Sequence, residues 1–174
     1  MSCDIAIGAN RTKPCDSTQG GTSEFYFFNY VDDAFTVTAG EATALSGLVE
    51  QTVYKYEIEG DGNPFTQNSV TNKKTGTKVN TQTLVGQFIS IDAATNVELD
   101  KLASGKIAGV VKDRNGKYFW FAKDGVNVTA TIEAVTGGAA LDFNGYNVTL
   151  VAETLELAPV LDSATVTAFL TLVA

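Results

Sequence analysis

The chain has 174 residues, 44% of them hydrophobic and 18% charged, with a net charge of −8 and no histidine. This length and composition predict one domain with a real core and exclude wholesale disorder. Without histidine, Ser-His-Asp and Cys-His arrangements are excluded within the chain. The acidic balance opposes tight phosphate-backbone binding, which relies on clustered Lys and Arg.

No run approaches the roughly 20 apolar residues needed to span a bilayer, so no membrane partner is expected. The start, "MSCDIAIGANRTKPC", has neither a basic n-region nor a long apolar h-region, and folding in a cytoplasm is expected. With no CxxC and no histidine, a zinc site at Cys3 and Cys15 would need an unusual ligand set; in a cytoplasm the pair reads as two reduced thiols, and outside a cell it could pin the N-terminal segment. The N-x-T sequons at Asn10, Asn127 and Asn147 read as chance.

Residues 8–23 are polar and turn-rich, so residues 1–23 read as an N-terminal arm or loop. "EFYFFNYV" reads as a strand, followed by further strands in "FTVTAG" and "LVEQTVYKYEIEG". Residues 60–83 break this rhythm: they are polar, carry Lys73, Lys74 and Lys78, and have no acid after Asp61. They read as a long loop, and loops this long within compact domains tend to be either functional or disordered. "LVGQFISI" (84–91) resumes as a strand. The run Thr95-Asn96-Val97-Glu98 fits a capping box and opens a short helix over about 95–104. Leu99, Leu102 and Ala103 share its apolar face, and Gly105 is its expected stop.

Beyond it, strands are expected on either side of turns at Asn115-Gly116 and Asp124-Gly125. "ALDFNGYNVTL" (140–150) reads as two short strands folded on a type I′ turn at Asn144-Gly145. The apolar end, Ala164 to Val173, reads as a last strand. The sum is mainly β: an antiparallel sandwich or open barrel with one short flanking helix.

Candidate chemistry is sparse. The pairs Asp32–Asp33 and Glu57–Glu59 carry no known carboxyl separation, and "EGDGN" around Asp61 lacks the further acids of an EF-hand loop and reads as a tight turn. No catalytic residue, metal ligand or cofactor site is expected. The runs Phe25–Phe28 and Tyr118–Phe121 place large apolar groups on both faces of a strand. One face belongs to a core, and the other is expected against a helix, a second sheet or another subunit.

The order of elements resembles the tail tube proteins of long-tailed bacteriophages. The resemblance runs from strand 84–91 through the helix, "KIAGVVKDRNGKYFWFAKDG" and "GGAALDFNGYNVTLVAETLELAPVL". Its most specific parts are the D-x-NGY element, Asp142 to Tyr146, and the Ala158-Pro159 ending. The start, with Cys3, Cys15, Gly20-Gly21 and "FYFFNYVDD", is similar to virion proteins of phages infecting Bacteroidetes-type hosts.

The resemblance implies a virion structural protein, assembled in the host cytoplasm, whose hexameric rings stack into a hollow tube. Inner strands of the six subunits would join into a lumen barrel through which genomic DNA slides without specific binding. Partners would be further copies of the chain and other tail proteins. Residues 60–83, with Phe65, Lys73, Lys74 and Lys78, would contact a neighbouring subunit or ring, and Asn115, Gly116, Asn144 and Gly145 would serve as structural turns. The same fold serves tail terminators and other rings; a capsid decoration or binding module is the alternative of a different class.

Overall fold

A computed structural model describes residues 8–58, 60–125 and 128–174. Cys3, Glu59, Val126 and Asn127 lie outside the described residues. The chain is mainly β, with two sheets and two helices, and forms an open sandwich. The strands are β1 (Thr22–Asn29), β2 (Phe35–Thr38), β3 (Glu41–Leu45), β4 (Tyr54–Glu57), β5 (Phe65–Asn72) and β6 (Thr77–Ile89). After helix α1 (Ala93–Ser104) come β7 (Ile107–Asp113), β8 (Tyr118–Phe121), β9 (Thr129–Val135), β10 (Gly145–Thr154) and β11 (Val160–Leu161), then helix α2 (Ser163–Leu170). One sheet has seven strands in the order β2-β3-β11-β8-β7-β1-β4, the other four in the order β5-β6-β10-β9. Pairing is antiparallel except between β11 and β3 and at the Val53–Val173 bridge.

The aromatic runs explain the layering. On β1, Phe25 and Phe27 enter one core while Tyr26 and Phe28 enter another. Likewise on β8, Phe121 faces the first core, and Tyr118 and Trp120 face the second. Strand residues alternate faces, so the seven-stranded sheet is the middle layer. Its first face packs on the four-stranded sheet and on Leu99 and Leu102 of α1. Its second face curls around Phe169 of α2, whose ring lies 5.4 Å from Tyr26 and 5.9 Å from Phe35. Both faces of the aromatic strands are therefore covered within the chain, and these residues are not a surface awaiting a partner.

Four expectations are corrected. Residues 60–83 are not a long loop: β5 and the first half of β6 form a hairpin closed by Asn72-Lys73-Lys74-Thr75-Gly76. The Asn72 Oδ1 accepts from the Lys74 and Thr75 amides, and Gly76 takes φ 70°. Residues 68–79 are exposed on both faces, so no apolar alternation marks the strands; Thr and Val supply the β propensity instead. The apolar C-terminus is helix α2, started by Asp162, whose Oδ1 accepts from the Thr165 amide at 2.6 Å. Thr165 and Phe169, four residues apart, are its buried face.

Helix α1 starts earlier than the capping box placed it. Its N-cap is Asp92, which takes both the Thr95 amide and the Thr95 hydroxyl, while Glu98 pairs with Lys101. Lastly, Asn144-Gly145 is not a hairpin turn. Gly145 opens β10, whose partners are β6 and β9, and the β9–β10 connection is residues 136–144. The Asn115-Gly116 turn is present between β7 and β8, with Gly116 at φ 78° and Asp113 accepting from the Asn115 and Lys117 amides. The Asp124-Gly125 turn is also present, but it leads from the seven-stranded sheet into the four-stranded one.

Candidate assembly surface

The two outer strands of the four-stranded sheet differ from the other sheet edges. In the seven-stranded sheet, edge strands β2 and β4 have four residues each, and β4 carries Lys55 and Glu57. Short, charged edges resist further pairing. Edge β5 has eight residues, "FTQNSVTN", without a charge or a proline, and edge β9 has seven, "TATIEAV", with only Glu133 charged. The Val85 amide donates to the Pro64 carbonyl. With the register of β5 and β6, this points the backbone groups of Phe65, Gln67, Ser69 and Thr71 away from β6, to the outside. By the same alternation, Ala130, Ile132 and Ala134 direct theirs outward from β9.

One face of this sheet meets the first core through Leu84, Phe88, Tyr146, Val148 and Leu150. The opposite face carries Thr81, Thr83, Val85, Gln87, Asn147, Thr149 and Val151 on the central strands, all half-buried. A polar row crosses three strands there: Gln87 donates to Asn147 at 3.0 Å, and Asn147 donates to Glu133 at 3.4 Å. By register, Glu133 and Glu153 share that face, and no Lys or Arg does.

Charge along this sheet is segregated. No acid occurs from Gly62 to Ile91, and no Lys or Arg from Asp124 to Ala174. Lys73, Lys74 and Lys78 therefore sit at the exposed hairpin end, with Val70 and Val79 paired beside them, both exposed. At the other end of the strands lie Asp92 and Asp142. Hydrogen bonds from Thr95 hold the Asp92 carboxyl below its ordinary value, and the Gly138 and Ala139 amides do the same for Asp142. Phe65, expected as a contact residue, is half-buried, with its ring against Phe119 and Phe121 at centroid distances of 6.0 and 6.2 Å.

The other singled-out residues are structural. Glu24 joins Lys55 at 3.2 Å, Lys112 at 3.0 Å and the Tyr26 hydroxyl. Asp32 accepts from Tyr30, whose hydroxyl is pushed up to about 12 by that bond and by burial. Asp61 pairs with Arg114 between Gly60 and Gly62, both at positive φ, as a tight turn. Gln19 and Asn115 bond reciprocally and tie the arm to the β7–β8 turn, while residues 8–20, with Cys15, are exposed. Among the described residues, no group of three His, Cys, Asp or Glu could hold a metal. The edge character of β5 was hidden in the sequence because its polarity reads as loop; its lack of charge was the available signal.

No family model, no curated protein and no solved structure matches this chain.

Proposed function

We propose that the protein is a virion structural subunit whose four-stranded sheets join, edge to edge, into the wall of a phage tail tube. The observation that carries this reading is the pair of long, outward-directed edges on one sheet, whose outer face no described strand or helix packs on. Its four strands alternate in direction, so β5 of one copy beside β9 of the next continues the antiparallel order. Such a head-to-tail contact repeats, and closes into a ring when the rotation allows.

With six copies, as the tail tube resemblance implies, the ring has 24 strands. At about 4.8 Å per strand its circumference is roughly 115 Å and its diameter roughly 37 Å before strand tilt. That leaves room for duplex DNA. The face turned inward would carry Thr, Asn, Gln and Val with Glu133 and Glu153 and no cation, so phosphates would pass without being held. The basic hairpin end would meet the acidic end of the copy in the next ring, a contact weakened by salt.

Two edge variants test this reading. Ser69→Pro removes an outward amide from β5 and leaves the ladder to β6 intact; Ala134→Pro does the same on β9. Both are expected to give folded protein, by circular dichroism, that forms no rings or tubes in negative-stain electron microscopy where the parent does. Rings formed equally well by either variant would contradict the edge pairing.

A further inference from the structure

The two open edges of the four-stranded sheet are not level with each other. Through its pairs with β6, β5 lies abreast of residues 77–84. Through β10, β9 lies abreast of residues 83–89 of the same strand. Copies set side by side with no displacement along the strands would therefore overlap only at the levels of Thr83 and Leu84. Pairing along the length of both edges requires each copy to be displaced relative to the one before it.

The backbone restricts that displacement to an even number of residues. The outward groups of β5 belong to Phe65, Gln67, Ser69 and Thr71, which share the core side with Leu84, Gln82 and Asn80 of β6. Those of β9 belong to Ala130, Ile132 and Ala134, which share the core side with Leu150, Val148 and Tyr146. Directly opposed residues of two strands lie on one face. Outward groups therefore meet outward groups, and every copy turns the same face to the lumen.

Among the even steps, zero and two leave Ala134 beyond the start of β5, and six leaves Phe65 beyond the end of β9. A step of four sets Phe65, Gln67 and Ser69 opposite Ala134, Ile132 and Ala130, with Thr71 opposite Val128 just before β9. Strand tilt selects the same step. Four residues across four strands are a rise of about 3.3 Å for every 4.8 Å across, a tilt of about 35° and within the usual barrel range. Two residues give about 19°, and six give about 46°.

We propose that neighbouring copies join β5 to β9 with a step of four residues. This rests on the edge-to-edge reading above and adds to it which residues of the second copy each edge receives. On the core side, Ile132 of one copy comes beside Gln67 of the next, at a cavity of about 280 Å³ lined by Phe65, Gln67, Asp113 and Phe119. On the lumen side, Asn68 comes opposite Thr131 at a close, non-hydrogen-bonded position. With six copies, the tilt widens the ring from roughly 37 Å to roughly 45 Å.

Paired cysteines read this register directly, in a background carrying Cys3→Ser and Cys15→Ser. Asn68 and Thr131 are both exposed, and within one chain they lie three strand spacings apart, too far to bridge. Asn68→Cys with Thr131→Cys in one chain is expected to give, on oxidation, a ladder of covalent multimers on non-reducing gels. Asn68→Cys with Thr129→Cys reports a step of two, and with Glu133→Cys a step of six. Both are expected to cross-link about tenfold less, because diagonal neighbours lie about 7–8 Å apart, beyond disulfide reach. Circular dichroism checks that each variant is folded. A stronger ladder from either alternative pair would overturn the step of four and leave the edge pairing standing. No ladder from any of the three folded variants would overturn both.

Discussion

Gly145 lies so close to β6 that a Cβ would collide with the Phe88 carbonyl oxygen and press on the Phe143 ring. The glycine is needed for backbone approach, not for a left-handed turn, since its φ lies outside the positive range that marks Gly76 or Gly116. Gly145→Ala is expected to cost about 1–3 kcal/mol, the usual range for overpacking. Urea denaturation measures it, and a loss under about 0.5 kcal/mol would mean the sheet yields there at no cost. A second effect at this scale concerns acid. Burial pushes the Glu24 carboxyl up, but bonds from Tyr26, Lys112 and Lys55 outweigh it and leave it below its ordinary value of 4.5. A carboxyl lowered by folding stabilises fully above its unfolded value, and that stability is lost as pH falls through the folded value. Melting temperature is therefore expected to be flat from neutral pH down to about 5 and to fall below 4.5, where Asp92, Asp142 and Asp162 add to the loss. Glu24→Gln should make that fall shallower; an unchanged pH profile would separate Glu24 from acid stability.

Helix α2 is the element on which the second core depends. It brings Phe169, fully buried, against Tyr26 and Phe35, and Val173 beyond it bridges to Val53. Phe169→Ala is expected to cost about 3–5 kcal/mol, as for other buried phenylalanines, measured as a lowered urea midpoint. A cost below 1 kcal/mol would show that the curled sheet holds without its plug. This helix also marks how far the sequence could be read. Strand β1 was legible because four consecutive aromatics leave no polar face, and α1 because Leu99 and Leu102 recur at helical spacing. α2 was not, because "ATVTAFLTLVA" is rich in β-branched residues and its helical start rests on one cap, Asp162. The β5–β6 hairpin failed for the opposite reason. With residues 68–79 exposed on both faces, its outer half carries no apolar alternation, and polarity alone reads as loop.

At the scale of the whole molecule, the two sheets have divided roles. The seven-stranded sheet buries both faces and ends in short edges, one of them charged, while the four-stranded sheet buries one face and leaves both long edges open. The proposed tube wall follows from that asymmetry, since the face and edges left uncovered belong to the same four strands. Of the candidate contact residues, Lys73, Lys74 and Lys78 lie at an exposed tip where a neighbour can reach them, and Phe65 is half-buried against Phe119 and Phe121. In the proposed tube, raising salt is expected to loosen the stacking of rings before the rings themselves, because the proposed stacking contact joins charged ends and the proposed edge contact is made of backbone hydrogen bonds. The most direct test is electron microscopy of the purified parent across a concentration series, with Ser69→Pro beside it. The account predicts hollow rings or tubes for the parent and none for the variant. Small, solid particles of unchanged size for both, at every concentration, would contradict it.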